Sequence, residues 1–238
     1  MITLYLIRHG TTEWNKLWKI QGKSDTPLDE QGEELARKTG EALAAEGITF
    51  DCVWSSPLQR AYRTAQLAAP GCEVLTDERL SELSFGTFEG RIVQDMLADE
   101  SCAFRYFTAD PYRYNQETIA LSQRFPEDHY ETLDELCLRT ADFMKSVIEP
   151  LALSESREES RPDLHILISG HGALNRALMM YVQKNEDLHS FWGKGLQSNC
   201  GINLIELDVS SDGSISYRTD DVCRVFYTTP DDPPPSLL

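Results

Sequence analysis

Within its 238 residues the chain has no apolar run near the ~20 needed to cross a bilayer, which excludes an integral membrane protein with spanning helices. It is also short of basic residues. Lys and Arg number 22 against 39 Asp and Glu, a formal charge of −17. A nucleic-acid binder needs a basic face to neutralise phosphates, and a polybasic membrane-surface protein needs the same, so both classes are disfavoured. Cysteine is sparse and scattered: Cys52, Cys72, Cys102, Cys137, Cys200 and Cys223 stand singly, with no CxxC and no Cys/His cluster. Zinc and redox spacings are therefore missing, and reduced, mostly buried thiols are expected. The opening MITLYLI lacks a basic leader and a small-residue cleavage site, so a cytoplasmic protein is expected. There is no internal repeat.

What is present is ordinary globular composition, 41% hydrophobic and 26% charged, arranged in alternating strand and helix signals. Ile2 to Ile7 is a buried-strand run that ends abruptly at Arg8-His9-Gly10. Asp29 to Gly47 has apolar residues at helical spacing and a closing glycine. Asp51 to Ser55 reads as a strand, Pro57 to Ala69 as a helix capped by Ser56 with Pro57 first, and Glu73 to Leu75 as a short strand. Further on come a helix from Asp134 to Glu149 closed by Pro150, the strand Leu164 to Ser169, and a helix from Gly172 to Lys184. Ile202 to Leu207 and Ile215 to Tyr227 read as a closing hairpin-like pair. This alternation predicts an α/β fold: a three-layer α/β/α sandwich with a mostly parallel sheet. The stretch 91–132 breaks the pattern with seven aromatics and two prolines and is expected to be an inserted lid. A single domain over 1–229 would then leave a proline-rich tail, 230–238, expected to be disordered.

Three polar clusters fall where strands hand over to loops: RHGTTEWN from Arg8, SSPLQRAYRTA from Ser55, and SGHG from Ser169. Ligands of parallel α/β sheets gather at those carboxyl ends, so the clusters can converge. Either histidine alone would read as structural. Two at strand ends, with an arginine beside one and another arginine at a third end, are hard to read as coincidence.

These residues resemble the histidine phosphatase superfamily, the phosphoglycerate mutase-like proteins. The match runs through R-H-G with T-x-W-N (Arg8, His9, Gly10, Thr12, Trp14, Asn15), QGKSDTPLDEQG (Gln21 to Gly32), S-P-L-x-R-A-x-x-T-A (Ser56 to Ala65), LSELSFGTFEG (Leu80 to Gly90) and the late His171-Gly172 pair. The resemblance implies a phosphohistidine mechanism on a small phosphorylated substrate, with no metal and no cofactor. His9 would be the nucleophile, which suits a neutral imidazole near pH 7. Arg8 and Arg60 would hold the equatorial phosphoryl oxygens with planar, permanently charged donors. His171 and Asn15 would add donors, and Gly10 and Gly172 would let backbone approach the phosphate. The family's acid falls on Glu82, which would protonate the leaving oxygen and later deprotonate water. Glu89 is expected to be structural, Glu13 a surface or loop-bracing residue, and Gln21 and Gly22 to line the pocket mouth. Arg63 is read as a solvated helix residue, Arg139 and Arg176 as loop braces, and His129, His165 and His189 as ordinary packing or surface histidines.

Catalytic residues do not separate a phosphatase from a cofactor-dependent phosphoglycerate mutase, but the loops lean towards hydrolysis. Gln21-Gly22-Lys23 and Glu82-Leu83-Ser84-Phe85-Gly86 depart from the mutase segments G-W-x-D and E-R-H-Y-G. The lid offers only Arg91, Arg105, Arg113 and Arg124 for holding a bisphosphate. Tyr130-Glu131-Thr132 stands where phosphatase-branch relatives often have G-E-S, so no relative's substrate transfers directly. A catalytically idle binding protein on the same fold is the remaining class, and would be expected to have lost one of the key residues. The excess acid implies selectivity. A small cationic island of Arg8, Arg60, His9 and His171, screened from distant acids over a Debye length of ~8 Å, would admit small phosphate esters and repel polyanions.

Overall fold

The computed structural model describes residues 2–155 and 163–227; the expected tail at 230–238 lies outside the described residues. A six-stranded sheet has the order β3-β2-β4-β1-β5-β6, with β1 Ile2–Arg8, β2 Cys52–Ser55, β3 Val74–Thr76, β4 Leu164–Gly170, β5 Ile202–Val209 and β6 Ile215–Arg218. The first four in that order run parallel, and β5 and β6 are antiparallel to their neighbours. The apolar runs of β1 and β4 occupy the middle, where both faces are covered. Leu4, Leu6, Ile166 and Ile168 enter one core, and Tyr5, Ile7 and Leu167 the other. That is the period-two alternation of a strand buried on both sides.

On the second face lie α2 (Glu30–Ala45) and α3 (Gln59–Ala68), whose Leu35, Ala36, Leu43, Ala65 and Ala68 join that core. Asp29 caps α2 by accepting from the Gly32 N–H at 2.7 Å, and it also accepts the Thr11 hydroxyl at 2.7 Å, which ties the helix to the chain just beyond His9. The opposite face carries α7 (Leu133–Phe143) and α9 (Gly172–Val182). A capping box between Thr132 and Glu135 starts α7, and another between Thr12 and Asn15 starts the short α1 (Glu13–Lys16). Among the described residues no helix is long and apolar enough to cross a membrane.

Three local expectations are corrected. Ser56 does not cap α3: its N–H still bonds the Ser169 carbonyl at 3.0 Å, extending the sheet, and Leu58 becomes the cap. Pro150 does not close the preceding helix. A wide π turn at Met144–Ile148 comes just before it, with the Glu149 N–H reaching Met144, and helix resumes as α8 (Glu149–Glu155). The widened turn accommodates a residue that has no N–H to give. The last strand stops at Arg218 instead of reaching Tyr227. The chain turns at Asp221, whose φ is +50°, and returns so that Arg224 exchanges two 2.8 Å backbone bonds with Ile202.

The stretch 91–132 is mostly helical: α4 (Val93–Ala98), α5 (Tyr106–Ala109) and α6 (Pro111–Arg124). Pro111 begins α6 behind an Asp110 cap, where a missing N–H costs nothing. Phe104, Phe107 and Tyr114 are buried in the same core as the sheet. Phe107 is the hub, with ring centroids 4.9 Å from Tyr114, 4.9 Å from Trp192, 5.1 Å from Phe85 and 5.2 Å from Phe104. These aromatics are core first, whatever else the segment does.

Candidate functional site

The carboxyl ends of β1 and β4 set the site. Arg8 pairs with Gly170 in the parallel register, so His9 and His171, each one residue further on, emerge side by side. Both are buried, and their ring centroids are 5.2 Å apart. The Gly10 N–H donates to the Thr64 hydroxyl of α3 at 3.0 Å, which brings the Arg60 helix against the same loop. Gly10 is needed there for a different reason from the expected one. A Cβ on it would lie 2.5 Å from the Gly32 carbonyl oxygen, so the close approach is to α2 backbone.

His9 donates from Nδ1 to the Gly10 carbonyl at 2.7 Å; a carbonyl can only accept, so Nδ1 carries the hydrogen. Burial, then the charges of Arg60 and Arg8, hold its pKa well below the ordinary 6.5. The imidazole is therefore neutral with its lone pair on Nε2. His171 is likewise held well below 6.5, by burial and then by Arg60, and both of its buried ring nitrogens lack a hydrogen-bond partner among the described residues. The positive charge of the island thus comes from the arginines and not from the histidines.

Arg60 is completely buried and holds the Gly22 carbonyl at 2.6 Å and the Ser24 carbonyl at 2.8 Å. Burial brings its pKa down to about 10, which still leaves it charged at neutral pH. Arg8 donates to the Gln197 carbonyl at 2.6 Å. The Nε of each arginine is buried and unpartnered among the described residues. The orphaned Nε groups of Arg8 and Arg60 and one ring N–H of neutral His171, around the neutral His9 imidazole, form a set of three donors that fits an oxyanion.

Glu82 comes from the loop after β3. Its carboxylate accepts from its neighbour Leu83 N–H at 2.8 Å and from Ala173 and Leu174 N–H at 3.1 Å each. It thereby supplies the cap of α9 from a distant segment, since His171 stands at the cap position without making a side-chain cap bond. The His171 imidazole is left free for a ligand. Asn15 uses its side-chain oxygen in the α1 capping box, and Gln21 uses its own to accept the Thr12 and Thr26 hydroxyls. Among the described residues, the amide nitrogens of both are the donors left over.

A family model of the histidine phosphatase superfamily, branch 1, matches residues 4–216. The chain belongs to that superfamily. A probable phosphoglycerate mutase GpmB from Serratia proteamaculans is 45% identical over 102 residues, covering 42% of this chain and 46% of that protein. The same-named protein of Photorhabdus laumondii is 41% identical over the same lengths. The matched stretch spans less than half of these relatives. Among solved structures, the phosphoserine phosphatase of Entamoeba histolytica is 25% identical, with a TM-score of 0.66 over 93% of this chain and 98% of that one. A protein described as mycobacterial hydrolase 2 has a TM-score of 0.77 over 96% and 93% at 23% identity, a likeness of fold.

In this histidine phosphatase superfamily member the lesser residues divide cleanly. Glu89 is a loop anchor, accepting from Lys23, Ser24 and Phe85 N–H groups. Arg139 ties Glu131 to the carbonyls of Arg79, Ser81 and Glu82, so it braces the Glu82 loop. Arg176 holds the Phe191 carbonyl and Asp221. Arg63 pairs with Glu33 on the surface, and Glu13 is an exposed first-turn residue. His165 bonds the Tyr5 hydroxyl, and His189 packs on Tyr112. His129 instead lines an open groove of about 810 Å³ with Lys23, Ser24, Ser84, Asp128 and Tyr130. Ser24 belongs to both the groove and the Arg60 anchor.

Sequence reasoning missed Gln197 and Asn199, and it quoted Thr64 within the Ser56 to Ala65 motif without giving it a role. Asn199 donates to the His9 carbonyl at 2.8 Å. The only signal for Gln197 and Asn199 was a polar QSNCG segment ahead of a strand, and its relevance depends on the direction in which that strand runs.

Proposed function

We propose that the protein hydrolyses small phosphomonoesters through a phosphohistidine on His9. The observation that carries this reading is the neutral, buried His9 with Nδ1–H fixed on Gly10, beside unpartnered nitrogens of Arg8, Arg60 and His171. In the first step His9 Nε2 attacks phosphorus, the ester P–O bond breaks, and Glu82 in its protonated form gives its proton to the leaving oxygen. In the second step water attacks phosphorus and yields a proton to the Glu82 carboxylate. The P–N bond then breaks and neutral His9 is restored. Arg8, Arg60, His171 and the amide nitrogen of Asn15 hold the equatorial oxygens throughout. Gln21, Gly22 and the adjoining groove would receive the alcohol portion.

The phosphoserine phosphatase likeness extends over almost the whole chain, whereas the mutase-named relatives match over 42% of it. Those relatives nevertheless make phosphoglycerate mutase the second reading. A panel of phosphomonoesters, assayed by phosphate release with and without chelator, tests the first. Turnover that needs added divalent metal, or that persists in His9→Ala, would sink it. Offering 3-phosphoglycerate with catalytic 2,3-bisphosphoglycerate tests the second: rapid isomerisation without phosphate release would favour the mutase. Replacing Glu82 with Gln is expected to slow alkyl phosphates more than aryl phosphates, because only the former need a proton on the leaving oxygen.

A further inference from the structure

Arg8 and His9 are held by a segment that belongs to none of the three strand-end motifs. Residues 197–200 lead into β5, which runs antiparallel to β1, so its first residues lie at the edge where β1 ends. The Gln197 carbonyl accepts from Arg8 Nη1 at 2.6 Å. Its side chain, nearly fully buried, is held at both ends: Nε2 donates to the Leu6 carbonyl at 2.9 Å, and Oε1 accepts from Asn175 Nδ2. Asn175 in turn lies one turn into α9, with its N–H on the His171 carbonyl at 3.1 Å. One residue thus joins the strand that ends in Arg8, the arginine itself and the helix that begins at His171.

We infer that Gln197 is a positioning residue for Arg8. A guanidinium on a flexible stem can aim Nε at an oxyanion only if the rest of its fork is held, and the Gln197 carbonyl holds it. That carbonyl is in turn located by the carboxamide bonds to Leu6 and Asn175. Losing those bonds leaves Arg8 charged and present but no longer preorganised, a loss felt in the transition state more than in substrate binding. The inference rests on the phosphohistidine reading of the site.

The test uses Gln197→Met, which keeps length and volume while removing the carboxamide, together with Asn175→Ala and the double variant. An aryl phosphate gives kcat and KM, a leaving-group series gives the dependence on alcohol pKa, and orthovanadate reports binding of a pentacoordinate phosphorus mimic. In Gln197→Met, kcat and vanadate affinity are expected to fall about 10- to 100-fold, with KM changed by less than about threefold. The leaving-group dependence stays as in the parent protein, because Glu82 is untouched. The double variant is no worse than Gln197→Met, since both substitutions cut one chain of bonds. Vanadate affinity within about twofold of the parent in either folded variant overturns the inference. So does failure of both single variants to fold, which would assign the network to stability. His9→Ala run in parallel separates the two claims. If it keeps turnover, the phosphohistidine reading fails, while the vanadate comparison between parent and Gln197→Met still reports on Arg8.

Discussion

The rings of His9 and His171 lie 5.2 Å apart, tilted by 57°, because the strands that carry them are adjacent and in register up to Arg8 and Gly170. Both imidazoles are kept neutral by burial first and by the charge of neighbouring arginines, Arg60 foremost, second.

This neutrality has a signed consequence for stability. The unfolded chain protonates its histidines near 6.5, while folded His9 and His171 do so only at much lower pH. Between those limits the unfolded state binds more protons, so stability falls as pH drops through about 6.5 and the loss continues towards the depressed folded values. The melting temperature should decline between about pH 7 and pH 5, and less steeply in His171→Gln. Equal slopes in the two proteins at constant ionic strength would contradict the expectation. The acid limb of kcat/KM should likewise lie below 6.5 once titration of the substrate phosphate is allowed for.

Arg60→Lys is not conservative here. The guanidinium spans two carbonyls, of Gly22 and Ser24, and still has Nε to offer. A single ammonium cannot do all three, so kcat/KM should fall about 100-fold. Steady-state kinetics on an aryl phosphate check this, and a loss of only a few-fold would remove Arg60 from the phosphate site.

Gly22 has φ +53°, and a Cβ there would sit 2.2 Å from the Glu89 carboxylate and 2.9 Å from the Phe85 ring. Gly22→Ala should therefore cost about 1–3 kcal/mol and loosen the loop that Arg60 grips. Denaturant unfolding measures the first effect. Faster trypsin cleavage after Lys23 reports the second, and unchanged cleavage would mean that the loop absorbs the methyl.

Phe107→Ala removes the ring at the centre of the 91–132 segment, where it is 2% exposed and packs on four other rings. The expected cost is about 3–5 kcal/mol, since a cavity opens in the core shared with the sheet. The Trp192 indole, which donates to the Phe107 carbonyl at 2.9 Å, provides a fluorescence readout of the same transition. Loss of segment packing with an unchanged global midpoint would mark 91–132 as a separately unfolding lid.

Local patterns carried much of this protein in its sequence. An apolar run cut off by Arg8-His9-Gly10 is a strand meeting a loop whatever surrounds it, and the same holds for Leu164 to His171. The spacing from Asp29 to Gly47 likewise made α2 legible, together with the glycine just past its end, whose φ is +79°. The ordered motifs named the superfamily, because they record side chains that must meet one chemistry. Signals of one or two residues were weaker: Pro150 looked like a stop, and only the neighbouring backbone could widen into a π turn to accept it.

Tertiary structure decided what depends on segments distant in the chain. That Glu82 caps α9 follows from a loop crossing to a helix some ninety residues away, which frees His171 from the capping role its position would otherwise invite. That Gln197 and Asn199 reach Arg8 and His9 follows from β5 running antiparallel, a direction no local pattern encodes. The protonation of the two histidines is settled the same way. Sequence supplied imidazoles and arginines, but burial and their mutual distance, which exist only in the folded chain, determine which of them carry charge.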